Sequence, residues 1–374
     1  MGTDETVLIL GDSESNADLY YATGFVVGAP VAYLQRDGRK ILLVSDLEYG
    51  RAKAEARVDE ILSTTPLEDR LRRAGEPVRL TSIVNLYLRE TESRELLVPA
   101  GFSFGHAERL KEFGYALRFR DDPFFPERMV KSPQELEAIE QVEEYGEEAM
   151  ALAADILRKA DVRAGILSSG GEPLTSERLR LEIQKFLLER ECQASDTIVA
   201  GGDQGAYPHL RGSGPLRAGE TIVIDIFPRS MRTRYWGDLT RTYVRGKASP
   251  RVKKLHKDVL DAQELAFSLI RAGAEGQKIH ERVMSFFKER GNNNEDAGDK
   301  KTGFIHGTGH GLGLEIHEHP KISRVESKLA AGNVVTVEPG LYYPGTGAVR
   351  IEDVVVVTEE GCRILNKLPK ELEL

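Results

Sequence analysis

Cysteine is scarce: Cys192 and Cys362 are the only two in 374 residues. That is too few for a disulfide framework and suits a reducing compartment, so a cytoplasmic location is expected. No run approaches the roughly 20 apolar residues of a membrane span. Met1-Gly2-Thr3-Asp4-Glu5 also places no basic residue ahead of the short apolar run Val7–Leu10. Neither membrane insertion nor export is expected. Positive charge is in deficit, with 51 Lys+Arg against 60 Asp+Glu and a formal charge of −9, which repels a phosphate backbone. The one Arg-rich stretch, Arg70 to Arg79, is broken by Glu76 and Pro77 and reads as a solvated helix end, so no nucleic-acid partner is expected. Hydrophobic residues at 40% and charged residues at 30% are ordinary globular usage, which argues against a disordered or fibrous chain. The length predicts two or three domains.

The first third mixes short apolar runs that read as strands, Val7 to Leu10, Val31 to Leu34 and Ile41 to Val44, with a helical stretch from Leu47 to Leu62. Asp37-Gly38 between two of these runs is a hairpin signal, because both positions tolerate positive φ. An α/β domain is expected over residues 1–126, where Asp122-Pro123-Phe124-Phe125-Pro126 interrupts regular structure. A second domain is expected over 127–374. It opens with Ser132-Pro133-Gln134-Glu135, a helix start with a capping box. A second helix is predicted from Ser176 to Glu189, then strands at Thr197 to Ala200, Thr221 to Phe227 and Asp238 to Val244. The cycle then repeats: Ser249-Pro250 opens a third helix, a fourth ends at Gly291, and strands return at Val334 to Val337 and Arg350 to Val357. The polar segment from Asn292 to Lys301 reads as an exposed loop.

The repeat is visible in residues as well as pattern. Leu216-Arg217-Ala218-Gly219 is followed six residues after its Gly by Asp225, and Leu329-Ala330-Ala331-Gly332 six residues after its Gly by Glu338. Asp238 then lies thirteen residues after Asp225, and Glu352 fourteen after Glu338. Strand alternation puts Asp225 on the face opposite Ile222 and Ile224, Glu338 with Thr336, Glu352 with Arg350, and Asp238 with Thr240. Four carboxylates gathered on one concave face would repel strongly, and divalent cations are the physical solution. Acids embedded in runs such as Ile222-Val223-Ile224-Asp225-Ile226 are rarely solvated decoration.

The histidines sharpen this reading. His306, His310 and His317 fall within Ile305-His306-Gly307-Thr308-Gly309-His310-Gly311-Leu312-Gly313-Leu314-Glu315-Ile316-His317-Glu318. The glycines oppose a helix and the Glu of the helical zinc-protease motif is missing, so that motif is excluded. No Gly-Lys-Ser/Thr follows, and the Gly spacing fails the dinucleotide fingerprint. These glycines are expected to let backbone and substrate approach closely.

Together these residues resemble the pita-bread (creatinase/aminopeptidase fold) metallopeptidases, the family of methionine aminopeptidase, Xaa-Pro aminopeptidase and Xaa-Pro dipeptidase (prolidase). Ser13-Glu14-Ser15-Asn16-Ala17-Asp18-Leu19-Tyr20-Tyr21-Ala22-Thr23-Gly24-Phe25 is similar to the creatinase-type N-terminal domain of the proline-specific members. The resemblance implies an α+β chain: a pita-bread catalytic domain with pseudo-twofold duplication, preceded by that α/β domain. It implies five metal ligands, Asp225, Asp238, His310, Glu338 and Glu352, with Asp238 and Glu352 bridging two divalent ions. Oxygen-rich ligation with one imidazole favours manganese, with cobalt or zinc as alternatives. By the same resemblance, a metal-bridging hydroxide attacks an Xaa-Pro bond at the N-terminus of a peptide or in a dipeptide. Glu338 is the implied general base, His317 the oxyanion stabiliser and His209 the histidine facing substrate. Arg350 and His306 are implied around them, and Tyr342 is expected to line the pocket. The implied partner is a small peptide with proline at its second position, and a homodimer is expected.

This chain departs from the family after its first acid, where Asp225-Ile226-Phe227-Pro228-Arg229 replaces Gly and a small residue and a longer path runs through Met231 to Trp236. The departure bears on the pocket wall and on substrate preference. Two alternatives stand beside the peptidase: a non-catalytic binding protein of the same fold, and a creatinase-like C–N hydrolase. Relatives of both kinds usually lack the ligand set.

Overall fold

The computed structural model describes residues 5–90, 93–294, 296–297 and 300–374. The chain divides into two compact units, Met1–Arg128 and Met129–Leu374. Among the described residues no helix is long and apolar enough to cross a membrane.

The N-terminal unit is built on a six-stranded sheet in the order Glu60–Ser63, Arg39–Val44, Val31–Arg36, Glu5–Gly11, Glu95–Pro99, Ala116–Arg120. The middle three strands pair antiparallel, and the outer three add in parallel. Asp37 and Gly38 adopt φ of 51° and 80°, the tight turn that sets Arg36 opposite Arg39. Alternate residues serve two cores: Leu8, Leu34 and Leu43 pack on one face, Ile9, Tyr33 and Leu42 on the other. The predicted helix Leu47 to Leu62 is corrected. The helix is Asp46–Glu55, and Glu60–Ser63 is an edge strand beside Arg39–Val44. The run Glu60-Ile61-Leu62 is too short for periodicity to separate helix from strand.

The second unit shows its duplication directly. Its first half carries helices Pro133–Lys159 and Ser176–Leu188 and the antiparallel strands Ile198–Gly201, Thr221–Ile226 and Leu239–Val244. Its second half carries helices Pro250–Leu269 and Gly276–Glu289. There the sheet runs in the order Glu318–Ile322, Gly309–Gly311, Val334–Val337, Asp353–Val357, Cys362–Ile364. The leading helix of each half starts at a Ser cap followed by Pro: the Ser132 Oγ accepts from the Glu135 N–H at 3.3 Å, and the Ser249 Oγ from the Val252 N–H at 3.3 Å. Gly219 and Gly332, at φ 79° and 86°, each turn the chain into the acid-bearing strand. Each half keeps its own core. Ile222, Ile224 and Ile226 pack with Met150, Leu157 and Ile183; Val335, Val337 and Val355 pack with Leu255, Val259 and Val283.

The predicted strand Arg350 to Val357 is also corrected. It is two strands, Gly347–Arg350 and Asp353–Val357, broken at Ile351-Glu352. The Glu352 N–H donates to the Thr240 carbonyl at 3.1 Å, so the break is where the second half bonds to the first. The segment from Asn292 to Lys301 is more ordered than an exposed loop at its start. Asn292 is buried and donates to Asp258 at 2.7 Å, while the Asn294 amide makes two bonds to the Phe304 backbone at 2.7 and 2.9 Å. Residues 295, 298 and 299 of that segment lie outside the described residues.

Candidate metal centre and active site

Asp225 lies near the end of the strand Thr221–Ile226, opposite Ile198 on one side and Thr240 on the other. Asp238 precedes Leu239–Val244, and Glu338 and Glu352 stand just beyond and just before the paired strands Val334–Val337 and Asp353–Val357. His310 is the middle residue of Gly309–Gly311. The flanking glycines are explained by contact: a Cβ at Gly309 would run into the Thr336 carbonyl, and one at Gly311 into that of His319.

Nine of the ten sequence-predicted residues line one cavity of about 660 Å³: Asp225, Asp238, His310, Glu338, Glu352, His317, His209, His306 and Arg350. Tyr342 does not. It is fully buried behind the wall, where its hydroxyl takes a hydrogen bond from Arg350 Nη1 at 2.9 Å and meets His306 Nε2 at 2.8 Å. Asp238, His310 and Glu352 each present an atom within 4.8 Å of the others. The His310 Nε2 is 3.6 Å from both Asp238 Oδ2 and Glu338 Oε1. The His310 Nδ1 faces the Gly311 carbonyl at 3.1 Å, so it holds the proton and leaves the Nε2 lone pair aimed at the acids. His317 stacks edge-on against His310, centroids 4.3 Å apart.

The electrostatics are those of an overcrowded acidic site. Burial, then the charges of Glu352, Asp225 and Glu338, push Asp238 well above the carboxylate range; burial and the Glu338 and Asp225 charges do the same to Glu352. Glu338 is pushed up to about 8, chiefly by burial, with Arg350 opposing the rise. Burial drives His306 and His310 down to about 3 and lowers His317, so all three imidazoles are neutral at pH 7. Arg350 sets one positive charge against these acids, with Nη2 2.6 Å from Asp225 Oδ2. The other Asp225 oxygen, Oδ1, is buried and has no hydrogen-bond partner among the described residues. Four hard carboxylates, one of them Asp225 with its orphaned oxygen, and one imidazole lone pair form a donor set that fits divalent cations.

Sequence reasoning missed several contributors. Ile198, paired opposite Asp225, and Phe227, just past the end of the Asp225 strand, form an apolar part of the wall. Behind the wall, the Glu143 carboxylate accepts the Asp238 N–H at 2.8 Å, and Thr240 Oγ1 donates to Glu352 at 2.7 Å. The unusual path before Asp238 also has a place: the Trp236 N–H and Nε1 donate to the carbonyls of Gly313 and Leu314 at 2.9 and 3.1 Å, bracing the segment that leads to His317. The readable signal for Glu143 is a polar residue on the inward stripe of a helix, between Ile139 and Gly146.

Residues 144–359 match the model of metallopeptidase family M24, and residues 8–121 that of the creatinase/prolidase N-terminal domain. The chain belongs to metallopeptidase family M24, with the pita-bread catalytic fold behind a creatinase-type domain. It is 30% identical over 362 residues to the Xaa-Pro dipeptidase of Pyrococcus furiosus, covering 95% of this chain and 92% of that protein. Among solved structures it resembles the X-Pro aminopeptidase of Thermotoga maritima, with TM-score 0.81, 27% identity, and 99% and 97% of the two chains covered. It likewise resembles the prolidase of Pyrococcus horikoshii, with TM-score 0.79, 26% identity, and 98% and 95% covered.

Proposed function

We propose that this metallopeptidase hydrolyses the bond between an N-terminal residue and proline, in dipeptides or at the start of longer peptides. The observation that carries the reading is the convergence of four carboxylates and a neutral, lone-pair-presenting His310 on one cavity that also holds His317 and His209. The names of its relatives, which include both a dipeptidase and an aminopeptidase, support the Xaa-Pro specificity. Asp238, His310, Glu338 and Glu352 would hold one divalent ion and Asp225, Asp238 and Glu352 a second, with manganese favoured and cobalt or zinc as alternatives. Bound there, such ions supply Lewis acidity and make water acidic enough to act as a nucleophile near neutral pH.

The chain's own residues do the rest. Glu338, a half-buried carboxyl beside His310, takes the proton of the attacking water and returns it to the leaving proline nitrogen. His317, neutral because it is buried and faces His209 and Lys321, donates a hydrogen bond to the developing oxyanion. His209 faces the substrate from the cavity wall. Arg350 orients Asp225, and Tyr342 and His306 continue that hydrogen-bond chain.

The test is digestion of Ala-Pro, Ala-Pro-Ala and Ala-Ala by the manganese-loaded protein. Cleavage of either proline substrate with Ala-Ala spared supports the reading, and cleavage confined to Ala-Pro assigns a dipeptidase. Absence of turnover on both proline substrates overturns it.

A further inference from the structure

We infer that Gln263 is a positioning residue for the metal centre, its side-chain amide pinning the two peptide units that carry Glu338 and Glu352. Gln263 is fully buried on the helix Pro250–Leu269, among the apolar side chains of that helix's inward stripe. Its Nε2 lies 2.9 Å from the Val337 carbonyl and 3.3 Å from the Ile351 carbonyl. Those oxygens belong to the peptide bonds entering Glu338 and Glu352. The strands Val334–Val337 and Asp353–Val357 pair in register up to Val337 opposite Asp353, and the same register continues past Glu338 and Glu352 to Pro339 opposite Ile351, where the Ile351 N–H donates to the Pro339 carbonyl at 3.5 Å. Pro339 has no N–H to return to the Ile351 carbonyl. Gln263 donates to that carbonyl instead, from outside the sheet.

The far side of each peptide is fixed as well. The Glu338 N–H donates to the Thr308 carbonyl at 2.8 Å, two residues before His310, and the Glu352 N–H to the Thr240 carbonyl at 3.1 Å, two residues after Asp238. One amide therefore ties together the segments bearing four of the five candidate ligands. Its orientation is dictated by its neighbours: Oε1 accepts from Lys370 Nζ at 2.7 Å, so the two N–H groups must face the two carbonyls. Lys370 is anchored in turn by Asp353 at 2.6 Å, and Asp353 by Arg241 at 2.7 Å. Buried acids that repel one another would splay, and ligand oxygens must stay within a few tenths of an ångström of their coordination distance from a shared ion. A donor fastened to both backbones resists that splaying before any ion arrives.

This inference rests on Glu338 and Glu352 being metal ligands, so the test carries a control for that reading. Chelator-stripped wild type, Gln263→Met, Lys370→Met and Glu352→Gln are titrated with Mn2+ by calorimetry. The thermal transition of each metal-free protein is recorded, with the visible spectrum of each cobalt-loaded form. Gln263→Met keeps the side-chain bulk and removes both donor and acceptor. It is expected to weaken Mn2+ binding by roughly 10–100-fold and to alter the cobalt spectrum while the metal-free protein still unfolds cooperatively. Lys370→Met, which releases the amide oxygen, shifts affinity in the same direction by less. A purely structural role for Gln263 would lower the thermal midpoint yet leave Mn2+ affinity and the cobalt spectrum at wild-type values, and that result overturns the inference. Should Gln263→Met fail to fold, wild-type Mn2+ affinity in Lys370→Met overturns it instead. Wild-type affinity in Glu352→Gln would sink the ligand assignment itself, whatever Gln263 does.

Discussion

Stripping the metal from this protein and raising the pH should unfold it more easily, and the size of the effect follows from the buried acids. Glu338 and Glu143 are each raised from 4.5 to about 8 in the folded chain, both chiefly by burial. An acid whose folded pKa lies above its unfolded value binds more protons when folded, so stability is full below the ordinary carboxylate pKa and is lost as pH rises toward the folded one. The window from pH 6.5 to 8 is the cleanest. His306 and His310, held near 3, and His256 and His280, held near 4, all chiefly by burial, must also be kept neutral, which destabilises the fold as pH falls and opposes the acid effect. Within the window each retained proton costs about 1.4 kcal/mol per pH unit. Flattening near pH 8 leaves a loss of about 3 kcal/mol for the two acids together, of which the four histidines, half protonated in the unfolded chain at pH 6.5, give back roughly half, for a net loss of about 2 kcal/mol. Asp238 and Glu352 shift in the same direction as the two acids. For a unit of this size that is a fall of about 4–8 °C in thermal midpoint. Thermal unfolding of the EDTA-treated protein at pH 6.5, 7, 7.5 and 8 measures it, and manganese should flatten the profile. A metal-free midpoint that is level or rises across this window would refute the reasoning.

Asp238→Asn and Glu352→Gln are each expected to abolish activity and bound metal by elemental analysis. Because each removes an acid that the metal-free fold must hold protonated above its ordinary pKa, the metal-free variants should melt at or above the wild-type midpoint at pH 8; a large drop there contradicts this reading. His317→Ala should lower kcat by about 10²–10³-fold with manganese stoichiometry unchanged, since His317 is placed as a hydrogen-bond donor and not as a ligand. Loss of metal from that variant would reassign the residue. Phe227, just past the end of the Asp225 strand, lines the cavity together with Ile198, so Phe227→Ala should raise kcat/KM for bulky N-terminal residues relative to alanine. An unchanged ratio across a Xaa-Pro series places the specificity wall elsewhere.

The duplicated architecture was legible because both halves repeat the same local physics. A glycine at positive φ, an apolar alternating strand and an acid at its end recur at Gly219 to Asp225 and at Gly332 to Glu338. The His310 glycines were legible as close-approach positions because so many of them oppose a helix, and the strand Gly309–Gly311 uses them to pass close to its neighbours. The break at Ile351-Glu352 was not, since Val349, Ile351, Val354 and Val356 are all apolar and nothing local marks where a strand changes partners. Tyr342 was misplaced for a similar reason: which face of the Gly340–Tyr343 hairpin looks into the cavity depends on its pairing with Gly347–Arg350. Gln263 and Glu143 were hidden because the backbone groups they hold lie more than 70 residues away in sequence.

Two cation positions between the halves of the catalytic unit underlie the whole functional reading. Manganese-soaked crystals measured at the manganese absorption edge should give two anomalous peaks per chain. One should be ligated by Asp238, His310, Glu338 and Glu352, and the other by Asp225, Asp238 and Glu352. A cavity free of anomalous density at saturating manganese, or a single ion bound outside these five side chains, would contradict it.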